Sequence, residues 1–191
     1  MTTHYIDITL LPDPEFGHAH LLGALMAKLH RALVQLKASN IGVSFPQHVN
    51  APLGKRTLGT VLRLHGAADA LNGLMALEWL KGMRDHVQVS VLDVVPADAK
   101  HRLVQRRQFK TNADRLRRRR MARKGETAEQ AIAAIPDAVE RKPNLPFAQL
   151  RSSSTGQPFC LFVDHGALQV GGIDGGFNTY GLSLGGSIPW F

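Results

Sequence analysis

Residues 100 to 124 carry Lys100, Arg102, Arg106, Arg107, Lys110, Arg115, Arg117, Arg118, Arg119, Arg120, Arg123 and Lys124 against one acid, Asp114, a local net charge of +11. The whole chain of 191 residues is net +8, so everything outside this segment comes to −3. Cations concentrated in this way form a contact surface, and a phosphate backbone is their natural complement. At helical spacing Arg115, Arg118 and Arg119 share one face with Arg123 a turn later, flanked by Arg117, Arg120 and Lys124. Solvated charged faces ordinarily interleave glutamate with lysine, and no acid follows Asp114 here until Glu126. Such a helix is expected to be weak alone, because its cations repel one another until phosphates neutralise them. Its binding should fall steeply with salt as counterions are released.

His30 lies on a predicted helix with Met26 four residues before it and Leu33 three after, at the border of an apolar stripe. A histidine at such an edge is ordinarily structural or simply exposed. It is also the group a ribonuclease needs: an imidazole titrates near neutrality and can take the proton from a ribose 2′-hydroxyl, which then attacks its own 3′-phosphate. The run Arg151, Ser152, Ser153, Ser154, Thr155, Gly156, Gln157 reads either as a plain hairpin loop or as hydroxyls that grip a phosphate or orient a 2′-hydroxyl. No Ser-His-Asp hydrolase signature surrounds it, so an activated serine nucleophile is not expected. Arg106 and Gln108, two apart in an extended stretch, leave the same side of the backbone. There they are either a polar strand face or a pair suited to guanine and adenine edges. No metal or cofactor is expected: His18 and His20 form a His-x-His pair with no cysteine or carboxylate cluster nearby, and Gly54-Lys55-Arg56 lacks the upstream glycine of a phosphate loop.

The elements that must hold these residues follow from hydrophobic periodicity. Residues 5–10 read as a strand closed by Pro12-Asp13-Pro14, and 16–36 as a helix with Leu22, Leu25, Met26, Leu29, Leu33 and Leu36 on one side. Strands follow at 41–45 and 61–65, then a helix over 69–80 capped by Asp69, then a strand at 87–91. Strand, helix, strand, strand, helix, strand is the split βαβ, or ferredoxin-like, order. It fills residues 1–94, with Val91 to Pro96 as the boundary. The second half, 95–191, reads as an irregular α/β domain, which makes the fold class α+β. Thr111 to Asp114 fit a capping box that opens the arginine-rich helix (about 112–124), and Gly125 stops it. Thr127 with Gln130 opens a short helix ended by Pro136; residues 147–151 and 159–163 read as strands before a glycine-rich tail of loops and turns.

An apolar fraction of 44% fits a globular protein with a real core, and no run approaches the length needed to span a bilayer. The first residues do not read as a signal peptide. One cysteine, Cys160, excludes an internal disulfide, fits a reducing cytoplasm, and reads as a small hydrophobe in an apolar strand.

Taken in order, Leu29-His30, Ile41-Gly42-Val43-Ser44-Phe45-Pro46, Leu62-Arg63-Leu64-His65, the stretch Arg106 to Met121, Leu150 to Gln157, Tyr180-Gly181-Leu182-Ser183 and Pro189-Trp190-Phe191 resemble one family across nearly the whole chain. It is the CRISPR repeat-processing endoribonuclease family of subtype I-F, also called the Ypest subtype. The resemblance implies metal-independent cleavage at the 3′ base of a repeat hairpin, leaving a 2′,3′-cyclic phosphate and a 5′-hydroxyl, with the product retained in a type I-F guide-RNA complex. It also implies roles. His30 matches the general base, Ser152 the serine that holds the attacking ribose, and Tyr180 a tyrosine near the scissile phosphate. Arg106 and Gln108 match readers of bases low in the stem, and Phe159 the aromatic that stacks on the terminal base pair. Arg115, Arg118, Arg119 and Arg123 match a helix laid in the major groove, and Ser154 and Thr155 match phosphate contacts. A long A-form duplex hides that groove from side chains, whereas a short hairpin opens it at its ends. Arg120 stands where the family commonly carries an apolar residue, and Ala122 where it tends to carry arginine. The rival expectation is a non-catalytic subunit that holds an RNA hairpin.

Overall fold

The computed structural model describes residues 2–51, 53–109, 113–139, 143–152 and 155–191. β1 (His4–Leu10) buries Ile6, Ile8 and Leu10 and leaves the alternate residues at the surface, as a strand with one core face must. α1 (His18–Leu36) buries Leu22, Leu25, Met26, Leu29 and Leu33. It begins two residues later than the periodicity predicts. It ends at Lys37, whose left-handed backbone (φ 52°) turns its N–H onto the Val34 carbonyl. β2 (Gly42–Ser44), a small hairpin of β3 (Val49–Asn50) and β4 (Arg56–Thr57), and β5 (Val61–Gly66) follow. Then come α2 (Ala68–Ala76), β6 (Val87–Val89) and β7 (Asp93–Val94).

The main sheet runs β2-β5-β1-β6, every neighbour antiparallel, with β7 also pairing β1. Three expectations change here. α2 stops at Ala76 rather than 80, and Ala67, not Asp69, is its N-cap. The apolar spacing that extended the predicted helix persists because Trp79 and Leu80 stay buried in the turns beyond it. The valine-rich stretch expected as a boundary continues the sheet instead: β7 pairs with His4 and Tyr5, and the Val95 N–H donates to the Thr3 carbonyl at 3.0 Å.

The second half supplies β8 (Lys100–Arg102), β9 (Val104–Arg107), α3 (Ala113–Lys124), α4 (Ala128–Ala134), β10 (Phe147–Arg151), β11 (Pro158–His165) and β12 (Ile188–Trp190). β10, β11 and β9 form a three-stranded antiparallel sheet, and β12 pairs with β8 inside the tail expected to be loops alone. The chain divides into two compact units, Met1–Arg107 with Leu145–Phe191, and Gln108–Asn144. This division does not fall at residue 94, and the reason is packing. Ala148, Leu150, Leu161, Val163, Leu182 and Ile188 are buried in the same core as Leu25 and Leu29. The backbone of Gln149 lies so close to α1 that a Cβ on Gly23 would collide with its carbonyl.

Candidate active site

In the first unit the buried stripe of α1 fixes the helix, and Leu29, fully buried, sets the direction of its half-exposed neighbour His30. His30 Nδ1 donates to the Thr179 carbonyl at 2.9 Å. A carbonyl can only accept, so this bond makes Nδ1 the protonated nitrogen of the neutral ring and leaves the Nε2 lone pair available. Tyr180 stacks on the imidazole with ring centroids 4.2 Å apart and planes 7° from parallel, which restrains the ring from its other side.

Arg106 extends the same group. Its guanidinium carbon lies 5.7 Å from the Tyr180 ring centroid and 5.9 Å from that of Phe159, near the outer limit of a cation–π contact. Its Nε is buried and has no hydrogen-bond partner among the described residues. The next residue on β9 is treated differently: Arg107 Nε donates to Asp164 at 2.8 Å. A buried guanidinium donor without an internal acceptor is costly unless a ligand supplies one. His30, Tyr180, Arg106 and Phe159 therefore form one run of rings and a cation, assembled from four separate segments of the chain.

Ser152 and Thr155 lie in the β10–β11 hairpin. The Ser152 N–H donates to the Gln157 carbonyl at 2.9 Å, and the Gly156 N–H to the Ser152 carbonyl at 2.8 Å, with Gly156 at φ 66°. Ser152 Oγ accepts from the Thr155 N–H at 3.3 Å, and Thr155 is exposed. Ser153 and Ser154 lie outside the described residues, as do Thr111 and Asn112 of the expected capping box. β9 ends at Arg107, so the strand geometry expected to align Arg106 with Gln108 covers Arg106 only; Gln108 is exposed and begins the second unit. Cys160, expected as a small hydrophobe in an apolar strand, does lie in β11 but is exposed. Phe159, Leu161 and Val163 take the inner face of β11, and Cys160 lies exposed on the other, with partial desolvation pushing its thiol pKa up.

In the second unit α3 sorts its own cations. Arg115, Arg118, Arg119 and Arg123 are exposed. Arg117 bonds to Asp137 at 2.6 Å, Asp114 at 3.0 Å and the Ile135 carbonyl at 2.9 Å, and the two carboxylates, Asp137 foremost, hold its pKa up. Arg120 clasps Glu126 through Nε at 2.5 Å and through its terminal nitrogen at 3.0 Å. That contact gives a use to an arginine where the resembled family commonly has an apolar residue. The helix expected to wait for phosphates is thus partly neutralised from beyond its own end. Gly125, at φ 65°, donates to the Met121 carbonyl and ends α3; Thr127 and Gln130 make both halves of the capping box that opens α4.

Three other histidines are held below the ordinary imidazole range, chiefly by desolvation. Burial pushes His65 down to about 3, with Arg63 and His101 adding to the shift, and the ring shares a 2.8 Å hydrogen bond with the Ser44 hydroxyl. Burial, then His48 and Arg102, push His165 down to about 3; His48 stacks on it at 3.6 Å and is itself lowered, chiefly by burial. Sequence reasoning missed Thr179, whose contribution is a backbone carbonyl, and Asn178 and Gly23, which fix what touches His30 and α1. Only the Asn-x-x-Gly spacing at residues 178–181 could have marked that turn.

Known proteins resemble the chain along nearly its whole length. The sequence model of the CRISPR-associated Cas_Csy4 family matches residues 5–191. The chain is 50% identical over 188 residues to the CRISPR-associated endonuclease Cas6/Csy4 of Pseudomonas aeruginosa (strain UCBPP-PA14), covering 98% of this chain and 99% of that protein. It is 45% identical over the same length and coverage to the protein of the same name from Escherichia coli (strain UTI89 / UPEC). A solved structure titled "An RAMP protein binding different RNA substrates" aligns with 98% of this chain and all of that one, at 11% identity and a TM-score of 0.35, too distant to carry an argument. With a family match over almost every residue and two relatives this close, the chain belongs to the Cas_Csy4 family of CRISPR-associated proteins, the subtype I-F repeat-processing family that its motifs resemble.

Proposed function

We propose that this protein is a cytoplasmic endoribonuclease that binds a CRISPR repeat hairpin, cuts at its 3′ base without a metal or cofactor, and keeps the product within a type I-F guide-RNA complex. In this reading His30 Nε2 takes the proton from a ribose 2′-hydroxyl, and the resulting oxygen attacks the adjacent phosphorus. The phosphorane that forms expels its 5′-oxygen, which gains a proton from solvent as a 5′-hydroxyl while His30 gives up the proton it took, and the other fragment keeps a 2′,3′-cyclic phosphate. Ser152 orients the attacking ribose, and Tyr180 holds the imidazole beside it.

Arg106 and Gln108 read base edges low in the stem, with Phe159 stacked on the terminal pair. Arg115, Arg118, Arg119 and Arg123 enter the major groove near an end of the hairpin, while Ser154 and Thr155 meet phosphates. Residues 1–94 supply the ferredoxin-like platform in this scheme, and residues 95–191, part of which share its core, supply the RNA-binding half. The strand order β2-β5-β1-β6 supports the first assignment and the exposed arginines of α3 the second.

One observation carries the reading: the Thr179 carbonyl accepts from His30 Nδ1, so the neutral ring offers Nε2 as a base. Incubation of the protein with the repeat RNA of its own locus, with and without EDTA, tests it through the product ends. Equal cleavage in both samples with a cyclic phosphate is the expected result. Inhibition by chelation, a free 3′-hydroxyl, or tight binding with no cleavage at all would overturn it.

A further inference from the structure

We infer that Asn178 is a positioning residue for the base, holding the turn that selects which nitrogen of His30 carries the proton; the inference rests on the reading of His30 as base. The turn has two buried anchors. The Phe177 N–H donates to the Ser39 carbonyl at 2.9 Å, and Leu182 is fully buried. Between them Thr179 is exposed, and although Tyr180 packs its ring against the core, no buried side chain among the described residues fixes the Thr179 peptide itself. Asn178 does. Its Oδ1 accepts from the Tyr180 N–H at 2.8 Å and from the Leu182 N–H at 3.1 Å. Its own N–H donates to the Leu182 carbonyl at 2.8 Å, and its carbonyl accepts from the Gly181 N–H at 2.8 Å.

Both side-chain partners are donors, which identifies the bonding atom as the oxygen and not the amide nitrogen. An asparagine that bonds the backbone two residues on is a local turn device of this kind. Gly181 completes it at φ 74°, with its carbonyl accepting from the Val43 N–H at 2.8 Å. A Cβ there would stand 2.6 Å from Val43 Cγ1. The turn is thereby tied to β2 on one side and presents the Thr179 carbonyl and the Tyr180 ring to His30 on the other. Without the two bonds to Asn178 Oδ1 the carbonyl is no longer fixed. Either imidazole nitrogen can then carry the proton, and a ring protonated at Nε2 has no lone pair aimed at the substrate.

The test compares Asn178→Ala with Asn178→Asp, whose carboxylate oxygen can accept the same two N–H bonds. Long-range nitrogen–proton NMR on RNA-free protein reads the His30 tautomer, and single-turnover cleavage at saturating hairpin RNA reads the rate. The wild type should show Nδ1 protonated and Nε2 bare. The alanine variant should show mixed tautomers and cleave about tenfold more slowly at unchanged hairpin affinity, a fraction of what a general base supplies. The aspartate variant should restore the single tautomer and most of the rate. An alanine variant with the wild-type tautomer, or with altered tautomers and the wild-type rate, overturns the inference. If alanine prevents folding, Asn178→Ser, a weaker acceptor, is held to the same two readouts. The tautomer is read without RNA, so failure of the clamp is separate from failure of the base assignment, which undiminished cleavage by His30→Ala would reveal.

Discussion

In the first compact unit one imidazole is oriented by a carbonyl 149 residues away in sequence, whereas in the second the charge comes from a single twelve-residue helix. The imidazole depends on long-range packing: a buried leucine beside it, a turn braced by Asn178, and a stacked tyrosine. The helix depends on local neutralisation, with Arg117 and Arg120 tied to Asp114, Asp137 and Glu126 while Arg115, Arg118, Arg119 and Arg123 face outward. One region has the features of a catalyst, where one proton must sit on one atom. The other has those of a grip, where many weak contacts add and none is decisive. The two should therefore fail differently.

The sharpest break comes from His30→Ala. Cleavage should drop by roughly 10²–10⁴-fold, the usual contribution of a positioned general base, with hairpin affinity unchanged in a filter-binding assay. The converse comes from replacing Arg115, Arg118, Arg119 and Arg123 together with alanine. The slope of log affinity against log salt should flatten by about 3, at 0.7–0.9 per lost phosphate contact, while the single-turnover rate at saturating protein holds. Replacing Arg117 instead should loosen α3 against Ile135 and Asp137 and change the salt slope less, because that guanidinium is already engaged.

Acid separates the two regions by stability. His65, His48 and His165, all in the first unit, have pKa values below the ordinary imidazole value of 6.5. Between about 3 and 6.5 the unfolded chain binds the extra proton that buried His65 refuses, so stability is full above that window and is lost as pH falls through it. At pH 5 the loss from His65 alone is about 2 kcal/mol. Glu126 in the second unit is lowered by Arg120, stays ionised at pH 5, and keeps its pair. Denaturation followed by tryptophan fluorescence, which reports Trp79 and Trp190 of the first unit, should show the drop between pH 7 and 5. His65→Asn should remove part of it. The smallest effect is expected from Tyr180→Leu, which keeps bulk but loses the stack: about a threefold to tenfold slower cleavage, matching 0.5–1.5 kcal/mol for an aromatic pair.

What was legible in the sequence divides along the same line. The arginine helix, its glycine stop and the Thr127–Gln130 box are local patterns, and they appear where the spacing puts them. His30 could be named as a candidate from its type and its place at the edge of the stripe. What holds it could not, because a backbone carbonyl leaves no mark in a sequence. The pairing of Val94 with His4 was hidden for a related reason: a valine run before a proline looks the same whether it links two domains or joins a strand from the chain's start. The outward position of Cys160 is hidden because apolar neighbours on both sides mask the two-residue alternation. Of the acids that restrain Arg117 and Arg120, Asp114 lies on the same helix, but Asp137 and Glu126 lie beyond it, up to twenty residues on, out of reach of a helical-face argument.

The central claim is that the attacking group is the RNA's own 2′-hydroxyl, deprotonated by His30. A repeat hairpin carrying a single 2′-deoxy sugar immediately 5′ of the cut tests it most directly, in binding and cleavage measured side by side. Undiminished binding and no product are expected over times in which the all-ribose hairpin is fully cut. Cleavage of the deoxy hairpin at the ribose rate would contradict that claim.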